Sequence, residues 1–244
     1  MKIRVINPNT SASMTAKIGE AARAVAAPGT VIEAVNPSFG AASIEDHLDD
    51  VWAAAGVAEQ VRIGQAQGAD AFVIACFGDP GLHAAREIAT GPVIGIAEAA
   101  FHAATLLATG FSVVTTLTRT CVIAEHLVLQ YGFERRCRGI HGTDIAVLDL
   151  EDPASMAFER ILAASKQALD QDRSEAIVLG CAGMADLCHA LQARLGVPVI
   201  DGVGAAVKFA ESLASLKLAT SKVGDYALPL AKSYAGLAAP FSPG

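Results

Sequence analysis

Positive charge is scarce along this chain: 18 Lys and Arg face 25 Asp and Glu, for a formal net charge of −7. With no extended basic run to neutralise phosphates, nucleic acid and anionic membranes are excluded as partners, and a small-molecule ligand becomes the default. Long hydrophobic runs are lacking as well. The most apolar stretch, Pro92 to Val114, is interrupted by Glu98, His102 and Gly110, which suits a buried strand and helix and not a bilayer span. The opening MKIRVINPNT breaks at Asn7-Pro8 before a signal-like apolar region develops, so a cytoplasmic protein is expected. Five cysteines, an odd number, give no disulfide framework for a reducing compartment. Zinc spacing is missing too, because nothing completes a ligand set around Cys181, Cys188 and His189, and no metal is expected. The six histidines are dispersed, which leaves a cysteine-histidine hydrolase with little support.

What is present is a motif used twice. GADAFVIACFGDPGLHAAREIATGPVIGI contains Cys76, and RSEAIVLGCAGMADLCHALQARLGVPVID contains Cys181. In each copy a Val/Ile-rich run ends in Cys, a Gly follows two residues later, a helical stretch comes next, and the unit closes on Pro-Val-Ile. The loops at Val5-Ile6-Asn7-Pro8-Asn9-Thr10 and Val113-Val114-Thr115-Thr116-Leu117-Thr118 form a second matching pair. Short apolar runs alternate with helical periods throughout, with strands expected at residues 2–6, 31–35, 71–75, 93–96, 111–115, 145–150, 176–180 and 199–201. Continuous apolar strands are buried on both faces, so the fold class is α/β with parallel sheets. The repeat implies two matching halves, which can pair about a local two-fold axis. Ligands of such sheets bind at the carboxyl ends of the strands, and all four special loops lie there. The final residues, 239–244, read as a frayed tail.

Two thiols at equivalent strand ends would face one cleft from opposite sides, as a base on each face of a substrate. That arrangement serves racemisation: one sulfur removes a proton from carbon and the other returns one on the opposite face. A strand-end cysteine just before a helix also meets backbone N–H groups that favour thiolate. A lone cysteine of this kind is ordinarily a small buried apolar residue, and Cys121, Cys137 and Cys188, within or beside expected helices and unmatched in the other half, are read so. Recurrence at one structural point reverses that judgement for Cys76 and Cys181. With no cofactor expected, carbanion charge must pass into an adjacent carbonyl held by preorganised donors. Candidates for this and for substrate contact are the backbone around Phe77, Gly78, Ala182, Gly183 and Met184, with the side chains of Asn9, Thr10, Thr115 and Thr116. Turn or N-cap duty is the competing role for these polar residues, and Asp79 is placed as a helix N-cap with Pro80 opening the helix. Gly202-Val203-Gly204 lacks the register of a dinucleotide fingerprint and reads as close helix packing.

The motifs INPNTS, IACFGDPGL, VVTT, VLGCAGMADL and PVIDGVGAAVK resemble the aspartate/glutamate racemase superfamily, specifically its hydantoin racemase branch, which includes allantoin racemases. The resemblance implies cofactor-independent epimerisation at C5 of a cyclic ureide, with Cys76 and Cys181 as the two acid/bases. It further implies two similar Rossmann/flavodoxin-like lobes related by a pseudo-two-fold axis, a C-terminal segment that returns to the first lobe, giving lobes of 1–98 plus 208–244 and of 99–207, and assembly into a homo-oligomer. Amino-acid racemases of the superfamily typically follow their cysteines with Asn-Thr and Thr-His-like residues; Phe77-Gly78 and Ala182-Gly183 stand here, which suits the more acidic C5 proton of a hydantoin-type ring. Phe77 and Phe101 are candidates for apolar contact with the C5 substituent, and Asp79 for contact with ring or ureido N–H groups. The alternatives are an amino-acid racemase of the aspartate/glutamate type, a small-molecule-binding protein without turnover, and a thiol redox protein.

Overall fold

The computed structural model describes residues 1–243, and Gly244, the last residue of the expected tail, lies outside them. The first half runs β1 (Lys2–Ile6), α1 (Ala12–Val25), β2 (Val31–Val35), α2 (His47–Ala66), β3 (Ala71–Ile74), α3 (Leu82–Ile88), β4 (Val93–Gly95) and α4 (Ile96–Leu107). The second half runs β5 (Phe111–Thr115), α5 (Cys121–Gln130), β6 (Cys137–Gly142), α6 (Ala157–Gln171), β7 (Ala176–Leu179), α7 (Cys188–Leu195), β8 (Val199–Ile200) and α8 (Gly202–Ser215). Each half forms a parallel four-stranded sheet, ordered β2-β1-β3-β4 and β6-β5-β7-β8. The second sheet repeats the first strand for strand.

Period-2 alternation divides each strand between two helical layers. Ile3, Val5, Ala71 and Val73 pack with α1 and α8, while Ile6, Phe72 and Ile74 face α2 and α3. In the second sheet Phe111, Val113 and Val178 meet α4 and α5, and Val114, Ile177 and Leu179 meet α6 and α7. The last helix of each half thus crosses to the other sheet. Val203, Ala206 and Val207 of α8 are already in the core of the first sheet, ahead of the expected boundary at 207/208. The crossed helices touch at Gly202, where a Cβ would stand 2.6 Å from Ile96 O, so this glycine serves close helix packing.

Two expectations are corrected here. Residues 145–150 do not form a strand; Val147–Glu151 is a 3₁₀ turn, and the edge strand is β6, which carries Cys137. The continuous apolar pattern misled because β6, CRGIHG, is a half-exposed edge with little apolar signal, whereas Ile145 and Leu150 are buried against α6 and Val147 joins the core of the first sheet, none of them pairing as a strand. The tail is not frayed over its described length. Gly236–Phe241 forms a 3₁₀ helix, Arg62 of α2 donates to Ser242 O at 3.2 Å, and upstream the Tyr226 hydroxyl meets His83 Nδ1 of α3 at 2.9 Å. Among the described residues no helix is long and apolar enough to cross a membrane.

Phe101 of α4, fully buried, anchors the aromatic cluster between helices and the second sheet. Its ring lies 5.6 Å from Phe77, 5.4 Å from Phe111 and 5.7 Å from Phe133. Phe101→Ala is expected to cost about 3–5 kcal/mol of unfolding free energy in a urea titration, because the cavity cannot close between two rigid layers.

Candidate active site

The strands deliver both cysteines in the same way. Ala75 N donates to Ile6 O and Gly180 N to Val114 O, each at 2.8 Å, extending β3 and β7 by one residue along the neighbouring strand. The chain then turns: Asp79 N donates to Cys76 O at 3.0 Å, and Met184 N to Cys181 O at 3.1 Å. Within each turn the N–H two residues on, of Gly78 or Gly183, favours the thiolate of its cysteine. A side chain on Gly78 would project between Cys76 Sγ, 3.9 Å away, and Asp50 Oδ1, 3.6 Å away. Glycine leaves that space to a ligand.

Both sulfurs open onto one cleft of ≈ 660 Å³, counted to its open mouth. Of the expected residues, Asn9, Phe77, Gly78, Thr115, Thr116 and Ala182 border it. The N–H groups of Phe77 and Ala182, each the residue after a cysteine, donate no hydrogen bond among the described residues. Asn9 is oriented by Asn7, whose Nδ2 donates to Asn9 Oδ1 at 2.7 Å and to Thr15 Oγ1 at 3.0 Å. Asn9 Nδ2 meets only the thioether of Met14, at 3.2 Å, a weak acceptor that leaves donor capacity for a ligand. Thr115 Oγ1 is committed to Gly180 O at 2.9 Å, which ties the loop after β5 to Cys181.

Five expected residues stand outside the cleft wall. Thr10 Oγ1 donates to Ala41 O. Met184 is fully buried among Leu179 and Leu191, and Gly183 stands behind Cys181 with its N–H favouring the thiolate. Asp79 does not cap the helix after Pro80. That helix begins at Leu82 behind Gly81, whose φ of +69° requires glycine, and Asp79, itself at φ 45°, turns to the N-terminus of α4. Its carboxylate accepts from Ala97 N at 3.1 Å, Glu98 N at 3.0 Å and the Tyr131 hydroxyl at 2.9 Å. The matching helix α8 is capped by its own Asp201 instead, through Val203 N and Gly204 N. Phe101 also lies away from the cleft, behind Phe77.

Sequence reading missed Asn7, Ile44, Asp50, Ile123 and Val147, all of which border the cleft. Asn7 had a signal, a polar residue directly at a strand end inside the Asn-Pro-Asn motif. The others arrive on segments that fold over the strand ends from both halves, joined where Val147 N donates to Glu45 Oε1 at 2.9 Å. Among the described residues no Lys, Arg or His lines the cleft, and Asp50 is its one ionisable group besides the thiols.

Burial dominates the electrostatics. It pushes the Cys76 thiol up to about 12 against the Gly78 N–H, with nearby Cys181, Asp79 and Asp50 adding to the rise. Cys181 is pushed by burial to about 11, eased by the Gly183 N–H and by Lys17. Burial thus favours the thiol over the thiolate at both positions in the free protein. Burial likewise raises the Asp79 carboxyl to about 7, opposed by its three donors.

A family model described as Asp/Glu/Hydantoin racemase matches residues 3–210. A hydantoin racemase of Rhizobium meliloti is 51% identical over 236 residues, spanning 97% of this chain and 98% of that protein. The hydantoin racemase of Pseudomonas sp. (strain NS671) is 49% identical over 97% of this chain and 95% of its own. Among solved structures, an allantoin racemase from Klebsiella pneumoniae superposes with a TM-score of 0.98 at 58% identity, covering 100% of both chains. Duplicated half, paired cysteines and full-length likeness agree, and the chain belongs to the Asp/Glu/hydantoin racemase family as an isomerase of the racemase class.

Proposed function

We propose that the protein racemises 5-substituted hydantoin-type rings at C5, with Cys76 and Cys181 as the two acid/bases and no cofactor. The observation that carries this reading is the pair of thiols opening onto one cleft from matching turns, in a wall without cationic side chains. A free amino acid would bring a carboxylate into a site whose one other ionisable side chain is acidic. A neutral cyclic ureide brings carbonyl acceptors and N–H donors, which suit Asn9, Thr116 and the free N–H groups of Phe77 and Ala182.

One sulfur, as thiolate, takes the C5 proton, and the C–H electron pair moves into the adjacent ring carbonyl to give an enolate. The thiol on the opposite face then protonates C5 and is left as thiolate. The two sulfurs have exchanged states, and the other enantiomer is processed by the reverse assignment. The N–H groups of Phe77 and Ala182, on the cleft wall and without an acceptor of their own among the described residues, support a role as donors to the enolate oxygen, where a fixed donor is worth most.

Polarimetry on single enantiomers of allantoin, 5-benzylhydantoin and glutamate tests this. Rotation of at least one ring compound should decay to zero while glutamate holds its rotation; decay of glutamate with both rings stable would replace this reading by an amino-acid racemase. Because base strength requires thiolate and burial raises both thiols, kcat/KM should climb with pH, about tenfold per unit between pH 6 and 9. A plateau below pH 7 would show that the thiolate is already formed in the free enzyme. The same family reading carries a cytoplasmic homo-oligomer, for which Leu106 and Leu107 at the end of α4 leave apolar surface exposed. Light scattering that returned a 25.0 kDa particle would reject assembly.

A further inference from the structure

We infer that Asp50 is the specificity-determining residue for the C5 substituent, and that the substituent it selects carries paired N–H donors, as a ureido group does. The inference rests on the hydantoin-type reading above and extends it to the side group.

Three acidic residues open α2, and two are spent on the chain itself. Asp46 Oδ1 accepts from Leu48 N and Asp49 N at 3.0 Å, and Asp49 Oδ2 accepts from Glu45 N at 3.0 Å. The third, Asp50, has no hydrogen bond or ion pair to its carboxylate among the described residues. It borders the cleft, half-buried, with Oδ1 and Cys76 Sγ flanking the same open point above Gly78. That position is unfavourable on its own terms. Desolvation raises the Asp50 carboxyl, and its negative charge opposes both the Cys76 thiolate and the enolate formed beside it. His47 beside it favours the charge, but no group among the described residues hydrogen-bonds the carboxylate, so a ligand that brings donors there stabilises it and one that brings none displaces its water without replacement.

The geometry of the need is specific. A carboxylate presents two acceptor oxygens side by side, and the two N–H bonds along one edge of a urea are parallel donors at matching separation, so the pair can form two bonds at once. An alkyl or aryl substituent offers no donor and would bury the charge unpaired. A carboxylate-bearing substituent would be repelled. Asp50 thus fills the part that the sequence suggested for Asp79, whose oxygens are fully engaged by α4 and Tyr131.

The test compares kcat/KM for allantoin, whose ring carries a 5-ureido group, with that for 5-methylhydantoin, whose side group has no donor, in the wild-type enzyme and in Asp50→Asn and Asp50→Glu. Asn keeps the shape but turns one acceptor into a donor, so the allantoin-to-methyl ratio should fall about 10- to 100-fold, with Glu intermediate. A ratio that stays within about twofold of wild type in both variants would overturn the role, and so would variants that lose both substrates equally. Wild-type turnover of 5-methylhydantoin without allantoin would remove the inference about Asp50 and leave the ring reading standing. Turnover of neither ring would remove both.

Discussion

Serine in place of Cys76 or of Cys181 is expected to lower racemisation of a hydantoin-type substrate by about 10³-fold or more, since each variant loses one of the two proton-transfer groups. The loss should be lopsided in a second measurement. A variant that keeps one sulfur can still lift the C5 proton from the enantiomer that presents it to that side, and give back a deuteron from solvent on the same face. In D₂O, Cys76→Ser should therefore exchange one hand and Cys181→Ser the other, each without inversion. The matched turns support this, because in each the glycine N–H favours the thiolate and the strand fixes the Cα. Full activity in either variant would remove the two-base scheme, and exchange of both hands by one variant would show that a single sulfur reaches both faces.

Asp79→Ala should be the most damaging substitution among residues that border no substrate. It leaves Ala97 N–H, Glu98 N–H and the Tyr131 hydroxyl without their acceptor and strips the N-terminus of α4 of the carboxylate that caps its backbone. Leaving a buried donor unsatisfied costs about 1–3 kcal/mol, and three are left here, so a substantial drop in urea midpoint is expected. Activity should fall further than stability predicts. Asp79 is three residues past Cys76, while α4 packs on β7, the strand that carries Cys181. The carboxylate consequently fixes one sulfur relative to the other, and kcat should drop more than KM rises. If the folded fraction of the variant kept wild-type kcat, Asp79 would be only a structural cap.

How much of this was legible in the chain follows from where each signal resides. The cysteines, their glycines and the α/β class were readable because strand, turn and helix are local and because duplication repeats them at a fixed interval. Asn9, Thr115 and Thr116 were readable for the same reason, since strand ends in parallel sheets are where ligands bind. Asp79 was misplaced because an Asp before Pro is locally indistinguishable from an N-cap. Only the tertiary fold, which brings Gly95 and α4 against it with no room for a side chain on that glycine, reveals its true partner. Edge strand β6 was missed because half-exposed pairing leaves little apolar pattern, and Asp50 because nothing in His47–Ala66 marks which face of α2 overhangs the cleft.

The repeated halves are both built of L-amino acids, so only a turn in space can carry one onto the other, whereas the two hands of a substrate are reflections. No turn produces a reflection, and the ring of one hand cannot find in the second half the surroundings its antipode found in the first. Cys181 has Lys17 nearby and Cys76 has Asp79, so the Michaelis complexes of the two antipodes should differ in occupancy and in turnover. Water, however, holds both antipodes at the same free energy, and thermodynamics then forces the second-order constants of the two directions to coincide. Whatever lopsidedness the flanking charges impose must appear as equal and compensating changes in saturation and speed.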